Sequence, residues 1–287
     1  MKNTVLILIA ILLVVAGVLS LITSGAEYAA EKVFYQAMKI NQEITVNPDV
    51  APPFMVAKVE NKLKKVLERY PNTKTAKQAH LSLVEFYLGN KKYEQAISAA
   101  EGTLEKYGQD RSFASRVQFL KGVAYEQQDQ WPQALKEYRV LRNQYTKTFL
   151  GLGIPLYIGE YYSTKGKDEF ATAAYQEAVS FYTKLEKDNK GQAVGYAAIN
   201  LLMRAYLILE QYEHAGVVLE KIISEYPKLR VFVQQIPSIE AIFIKKLNKP
   251  EKALQLYENI KVKTDNEKVI EFLDGRIEAL TVQENQQ

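Results

Sequence analysis

An alanine recurs at nearly equal intervals through this sequence, and in three of five cases a tyrosine follows four positions later. The alanines are Ala96, Ala134, Ala171, Ala215 and Ala253, so the successive steps are 38, 37, 44 and 38 residues. Steps of about 35 to 45 residues are typical of stacked helical repeats, in which each repeat buries its apolar face against the next. The sequence therefore predicts a linear array of repeats instead of one globular core.

Further small and aromatic residues surround each alanine at matching positions. The third unit has Gly159, Tyr162, Gly166, Ala171, Tyr175 and Ala178; the second has Gly122, Tyr125, Trp131, Ala134 and Tyr138; the first has Tyr87, Tyr93, Ala96 and Ala100; the fourth has Tyr206, Tyr212, Ala215 and Pro227; the fifth has Ala241, Ala253 and Tyr257. Two antiparallel helices approach to about 8 to 10 Å where one side of the contact is small, which explains the alanines and glycines. The tyrosines fill the spaces between hairpins.

These five units resemble the tetratricopeptide repeat, in which a small residue and an aromatic on helix A pack against a small residue and an aromatic on helix B. The resemblance covers most of the chain. It implies an all-α, right-handed superhelical solenoid of about five helical hairpins. It also implies a scaffold that binds proteins or peptides through a concave groove lined mainly by helix A.

The residues between the apolar segments agree with this assignment. Pro132 and Pro250 stand where helix B would begin, a position at which proline loses no useful hydrogen bond. Helix B is expected to end at a tyrosine followed by a helix breaker, in the pairs Tyr70 with Pro71, Tyr107 with Gly108 and Tyr226 with Pro227. The glycines Gly151 and Gly153 precede Pro155 and predict a loop that leads into helix A of the third unit.

The N-terminus carries an apolar run from Val5 to Ile22 in which Ser20 is the only polar side chain. As a helix, its 18 residues extend about 27 Å at 1.5 Å per residue, just enough to cross a bilayer core. A cleaved signal peptide is the alternative, because Lys2 is positive and small residues precede a possible cut after Ala26. Signal peptides usually have a shorter apolar region, of about 7 to 15 residues, so the sequence favours an uncleaved anchor.

The charges on either side of this run predict its orientation. Lys2 and the amino terminus are positive, whereas Glu27 is the first charge on the far side. The positive-inside tendency then leaves the N-terminus in the cytoplasm and the repeats outside, facing the periplasm across an inner membrane. The alternative localisation is a soluble periplasmic protein.

We expect four segments. Residues 1–26 are a transmembrane anchor or signal peptide, and residues 72–264 are the repeat array. Residues 27–71 are an amphipathic helix and a capping hairpin, with a weaker alternative of a coiled-coil face for self-association. Residues 265–287 are a C-terminal capping helix and polar tail.

The composition argues against several other classes of function. The net charge of +4 is small, and lysines and arginines alternate with carboxylates, so nucleic acid is not an expected partner. The chain has no cysteine, which excludes disulfides, a thiolate nucleophile and a lipidated cysteine. Its two histidines, His80 and His214, lie in different repeats and cannot share a metal. No phosphate-binding loop or nucleophile elbow appears.

We therefore expect no enzyme activity, no cofactor, no metal and no small-molecule substrate. The alternative is an enzyme or a nucleic-acid-binding helical repeat, which would need a basic groove or converging polar groups.

The resemblance places the candidate binding residues on helix A. They are Leu81, Glu85, Phe119, Val123, Leu156, Glu160, Arg204 and Leu207. Apolar anchors with a few charges suit an extended or helical peptide, although some of these side chains could instead pack against neighbouring helices. The sequence therefore predicts a membrane-tethered scaffold in envelope protein assembly or export, or alternatively a soluble exported repeat protein.

Overall fold

The computed structural model describes residues 2–46, 52–226 and 232–284, apart from the side chains of residues 2–11, 13–24, 232–233 and 283–284. Every regular element in these residues is helical. The chain divides into two compact units, Met1–Tyr145 and Thr146–Gln287. The expectation of an all-α fold is therefore confirmed, and each unit has an apolar core of its own.

The first unit consists of three pairs of helices. They are α1 (Lys2–Val46), α2 (Pro53–Arg69), α3 (Lys74–Gly89), α4 (Tyr93–Tyr107), α5 (Arg111–Glu126) and α6 (Trp131–Gln144). Each helix contacts the next along the chain, and α3 also contacts both α1 and α5. The helices α1, α3 and α5 therefore lie side by side as the A helices of this unit.

The second unit begins with two regular pairs and ends irregularly. Its elements are α7 (Phe149–Thr164), α8 (Asp168–Asp188), α9 (Ala193–Ile208), α10 (Tyr212–Glu225), a 3-10 turn (Phe232–Gln235), the short α11 (Ile236–Ile239), a π-helix (Glu240–Lys246), α12 (Pro250–Lys263) and α13 (Glu267–Glu284). The A helices α7 and α9 contact each other directly.

The turns between helices A and B share one backbone conformation in all five hairpins. A residue with φ between +51° and +66° precedes helix B each time, at Lys91, Asp129, Gly166, Glu210 and Asn248. Each of these residues lies five positions before the repeating alanine, so the backbone repeats with the same steps as the sequence. Only Gly166 can adopt this conformation without steric cost. Asp129 and Asn248 tolerate this conformation better than most residues, whereas at Lys91 and Glu210 tertiary packing must maintain it.

The predicted contact between a small residue on helix A and an aromatic on helix B is confirmed. A Cβ added at Gly122 would stand 2.3 Å from Cε1 of Tyr138, and one added at Gly159 would stand 2.4 Å from Cε1 of Tyr175. Both rings are buried. The absence of a side chain on these glycines lets each pair of helices approach closely.

The fifth hairpin departs from the expected register. Ala253 and Tyr257 are buried as expected, but Ala241 is exposed, and Ile242 and Phe243 point into the core instead. The π-helix that contains Ala241 inserts one extra residue, because Lys249 N–H donates to the carbonyl six residues back, at Phe243. The corresponding bond spans five residues in the four other hairpins, for example from Lys92 to Tyr87. This insertion rotates Ala241 out of the contact.

The predicted loop before Pro155 is also wrong, since α7 begins at Phe149 and includes both glycines. The Thr148 hydroxyl accepts a hydrogen bond from Gly151 N–H and caps this helix at its start. Pro155 lies in the second turn of α7 and is buried. The glycines do not interrupt the helix.

The expected membrane span of residues 5–22 lies outside the side chains that the structure describes, except at Leu12. Among the residues described in full, no helix is both long and apolar enough to span a membrane. The anchor and its orientation therefore stay predictions.

Candidate protein-binding surface

A cavity of about 460 Å³ lies between the A helices α1 and α3 and the start of α2. Its lining residues are Met38, Asn41, Ile44, Thr45, Val56, Ser82, Glu85, Phe86, Gly89 and Asn90. Methionine, isoleucine, valine and phenylalanine provide apolar surface, and amides, hydroxyls and one carboxylate provide polar atoms. A site of this kind can accept one apolar side chain and bond the polar groups beside it.

Helix geometry places these residues together. Ser82, Glu85 and Gly89 lie three and four positions apart, so they share one face of α3. Residues Met38, Asn41 and Thr45 share one face of α1 in the same way. Ala30 and Ala37 lie on the adjoining face of α1, where both are fully buried, and their small side chains allow α1 to pack closely.

Glu85, which the sequence predicted as a binding residue, connects the cavity to the neighbouring A helix. Its carboxylate accepts a hydrogen bond from the Arg116 guanidinium of α5 at 2.6 Å. Both side chains are well exposed, at 38% and 58%, so solvent weakens the pair and a ligand could compete for either group.

The other predicted residues of the first unit lie on the same A helices. Leu81 is half-buried on α3 and packs against the core. Phe119 and Val123 are half-buried on α5, and the Phe119 ring centroid lies 5.9 Å from that of Tyr138. These three side chains therefore combine partial exposure with packing contacts.

The four predicted binding residues of the second unit differ in their exposure to solvent. Leu156 is only 6% exposed and belongs to the core, so it does not line an open face. Glu160 and Arg204 are exposed, and Leu207 is half-buried against the core. Burial raises the pKa of Tyr175, and the negative charge of Glu160 raises it further. The positive charge of Arg204 lowers this pKa, but by less. Both charges therefore lie near this one phenol, on the adjacent helices α7 and α9.

Glu27 joins α1 to the first repeat, a role that the sequence did not reveal. Its carboxylate accepts hydrogen bonds from the backbone N–H groups of Lys74 and Thr75, at 2.8 and 2.9 Å, and from the Thr75 hydroxyl at 2.6 Å. Burial alone would raise the pKa of Glu27, but these bonds outweigh it and lower the pKa. The carboxylate thus caps the N-terminus of α3 from another helix.

The cavity residues on α1 were also missed, because that helix was interpreted as a cap and not as the first A helix. Asn41 and Met38 carry no repeat signature. Ser82 and Gly89 stand beside the predicted Leu81 and Glu85, so helical periodicity along α3 could have found them.

The described residues hold no cluster of three or more histidines, aspartates or glutamates that could bind a metal. His80 lies edge-on to Tyr107 with ring centroids 5.3 Å apart, and burial followed by the charge of Lys106 lowers its pKa. His214 is exposed and stacks on Tyr206 at 5.1 Å. Each histidine has a packing role within its own hairpin.

Residues 55–149 match the model of a family described as YfiO, outer membrane lipoprotein. No similar sequence was found among curated proteins.

Two solved structures show a distant likeness. One is a tetratricopeptide repeat protein from Parabacteroides merdae, at 12% identity and a TM-score of 0.36, covering 87% of this chain and 99% of the other. The second is BtubC from P. vanneervenii, at 14% identity and a TM-score of 0.31, covering 92% of this chain and 93% of the other.

The geometry of the helical hairpins can be compared directly with the repeat pattern of the sequence. Their turns recur in register with the alanines, and the contacts of Gly122 with Tyr138 and Gly159 with Tyr175 repeat from one hairpin to the next. The hairpins therefore have the repeating packing that the resemblance to the tetratricopeptide repeat implies, and residues 55–149, about a third of the chain, match the YfiO family model.

Proposed function

We propose that this chain is a membrane-tethered scaffold that binds other proteins or peptides on the outer, periplasmic side of the membrane. Its role would be in envelope protein assembly or export. The observation that carries the proposal is the cavity between α1, α2 and α3, which adjoins the exposed pair of Glu85 and Arg116.

The cavity suits one apolar side chain of a peptide ligand. Phe86 and Met38 offer it apolar contacts, whereas Asn41 and Ser82 can bond the peptide backbone. The cavity volume of about 460 Å³ falls within the ordinary range for ligand sites, roughly 300 to 1,000 Å³. Leu81, Phe119 and Val123 would extend the contact along α3 and α5.

The second unit offers a separate patch on α7 and α9. Glu160 and Arg204 carry opposite charges there, and Leu207 adds a partly exposed apolar side chain. A peptide with alternating charges would complement this patch, and rim charges of this kind act mainly on the association rate.

Two features support the tether. The apolar run of residues 5–22 is long enough to cross a bilayer core. The matched family is described as an outer membrane lipoprotein, which suggests the cell envelope. These 287 residues contain no cysteine to carry a lipid, so we propose an anchor of protein helix in place of a lipid anchor. The alternative is a soluble exported protein, cut after Ala26.

The binding proposal can be tested by filling the cavity. Gly89 lines the cavity and a Cβ there meets no atom within 4 Å, so Gly89→Leu adds apolar bulk at the cavity wall without a clash at the Cβ. The matched control is Gly102→Leu, on α4, where a Cβ also meets nothing within 4 Å. Both changes replace an open helical glycine and should raise helix stability by several tenths of a kcal/mol, roughly alike.

A photo-crosslinking residue at Ser82 first captures the partner in native membranes, and mass spectrometry identifies it. The affinity of the purified partner is then measured for both glycine variants. We expect Gly89→Leu to lose most of the binding and Gly102→Leu to keep it. Equal affinities for the two variants would remove the cavity as the binding site.

The tether is tested separately by the intact mass of the protein purified from native membranes. A mass that includes residues 1–26 supports the anchor. A species that begins at Glu27 would establish the soluble alternative.

A further inference from the structure

The edge of the first unit at the start of α3 lies close to the end of the apolar run of residues 5–22. The helix α1 continues without a break from Lys2 to Val46, so residues along it are separated by about 1.5 Å each. Glu27 stands five residues after Ile22, which is about 8 Å along the axis. Because Glu27 bonds the backbone of Lys74 and Thr75, the N-terminus of α3 stands at the same height.

The helices of this unit bring further residues to that edge. The helix α2 ends at Arg69, and the turn from Tyr70 to Thr73 leads into α3. The Lys106 ammonium, near the end of α4, donates to the carbonyl of Pro71 at 3.0 Å. The edge is therefore built from the end of α2, the start of α3 and the end of α4.

The polar layer of a bilayer adds about 5 to 8 Å on each side of the hydrocarbon core, since the whole membrane is about 40 to 45 Å thick and the core about 30 Å. A group about 8 Å beyond the core lies at the depth of the lipid headgroups. No stretch of flexible chain separates the run from the repeats, because α1 is one helix and the Glu27 carboxylate fixes it to α3.

The exposed side chains of the edge suit lipid phosphates. Arg69, Lys74 and Lys106 are exposed cations, and the segment from residue 69 to 74 contains no carboxylate. Tyr28, which directly follows Glu27, is 71% exposed, and tyrosines are enriched at membrane interfaces. Two exposed carboxylates, Glu68 and Glu105, directly precede Arg69 and Lys106 in the sequence.

We propose that this membrane-facing edge, formed by Tyr28, Arg69, the turn at residues 70–73, Lys74 and Lys106, rests in the headgroup layer and contacts lipid phosphates. The inference depends on the membrane tether proposed above. It adds that the first unit stands directly on the membrane, with the cavity residues Gly89 and Asn90 at the far end of α3.

The absence of cysteine allows a single fluorescent label in the full chain. Asn72→Cys places it on the exposed turn, and Gln95→Cys is the matched control, exposed at the start of α4 on the opposite end of the hairpin. Each labelled protein is reconstituted into phospholipid vesicles that carry a nitroxide quencher on the headgroup. We expect quenching to remove most of the fluorescence at position 72 and little at position 95.

A triple variant tests the cations. Arg69→Gln with Lys74→Gln and Lys106→Gln should recover part of the fluorescence at position 72. The control triple changes the exposed Lys58, Lys91 and Lys136 to Gln and should recover none.

Each other outcome overturns the inference. If the protein stays with the vesicles after a carbonate wash and position 72 is unquenched, or both positions are quenched equally, the tether survives and the membrane-facing edge is wrong. If the protein leaves the vesicles, the tether itself fails, and the inference fails with it.

Discussion

The ring of Tyr175 occupies the space that a side chain on Gly159 would need. A Cβ on residue 159 would stand 2.4 Å from Cε1 and 2.5 Å from Cδ1 of that ring, closer than real Cβ atoms approach other carbons. Gly122 and Tyr138 repeat the relationship one hairpin earlier. The two helices of each hairpin can therefore pack this closely because Gly159 and Gly122 have no side chain.

We expect Gly159→Ala and Gly122→Ala to destabilise the protein by about 1 to 3 kcal/mol, because the added methyl group must displace a buried ring. Urea unfolding monitored by circular dichroism measures the change. Gly102→Ala is the control, since its Cβ meets nothing within 4 Å, and it should stabilise by about 0.5 to 1 kcal/mol. Equal effects of all three changes would contradict the close approach.

Glu60 should make stability depend on pH. Burial alone would raise its pKa, but hydrogen bonds from Lys64, Lys92 and Tyr87, at 2.8, 2.9 and 3.0 Å, lower the pKa to about 2. A lowered pKa stabilises the folded state above the unfolded-state pKa, about 4.3, and this stabilisation is lost as the pH falls toward 2.

The test compares the wild type with Glu60→Gln. At pH 7 the variant should lose about 1 to 3 kcal/mol, since bonds to a charged acceptor are replaced by bonds to an amide. The difference in unfolding free energy should shrink as the pH is lowered from 5 toward 2. A difference that does not change with pH would rule out the charge of Glu60 as its source.

Lys221 balances a buried carboxylate in the second unit. Glu186 is 3% exposed and accepts hydrogen bonds from the Lys221 ammonium at 2.6 Å and the Tyr226 hydroxyl at 3.0 Å. Lys221→Met leaves that carboxylate without its cation, which should cost about 3 to 5 kcal/mol.

Lys252→Met is the matched control, because Lys252 and Glu220 form an exposed pair 3.5 Å apart. Such pairs contribute about 0 to 1 kcal/mol, so this variant should unfold almost as the wild type does. Thermal and urea unfolding of both variants give the comparison. A similar loss in both would show that burial of Glu186 is not decisive.

The predicted binding residues should now separate into two groups. Phe119→Ala and Arg204→Ala should weaken partner affinity by about 1 to 2 kcal/mol if their helix faces bind the partner. Leu156→Ala should instead destabilise the fold by about 2 to 5 kcal/mol, because it leaves a cavity in the core. Calorimetry of binding and urea unfolding distinguish the two effects. Lys136→Glu, an exposed change on α6, should alter neither.

The sequence by itself determined the repeat and its register. The equal steps between Ala134, Ala171 and the other alanines predicted hairpins whose turns recur with those same steps in the structure. The contact of Gly159 with Tyr175 agrees with the packing that the resemblance to the tetratricopeptide repeat implies. Helix ends at Tyr70, Tyr107 and Tyr226 were foreseeable because the residues that stop a helix act within one turn.

Features that depend on contacts between residues far apart in the chain were decided only by the tertiary structure. Glu27 caps a helix that begins 47 residues later, and no local pattern marks that bond. Ala241 turned outward because a π-helix added one residue, and Leu156 entered the core although periodicity allowed an open face. Spacing along a helix fixes which residues share a face. Which face is covered depends on the neighbouring helices, and their positions are set by packing of the whole unit.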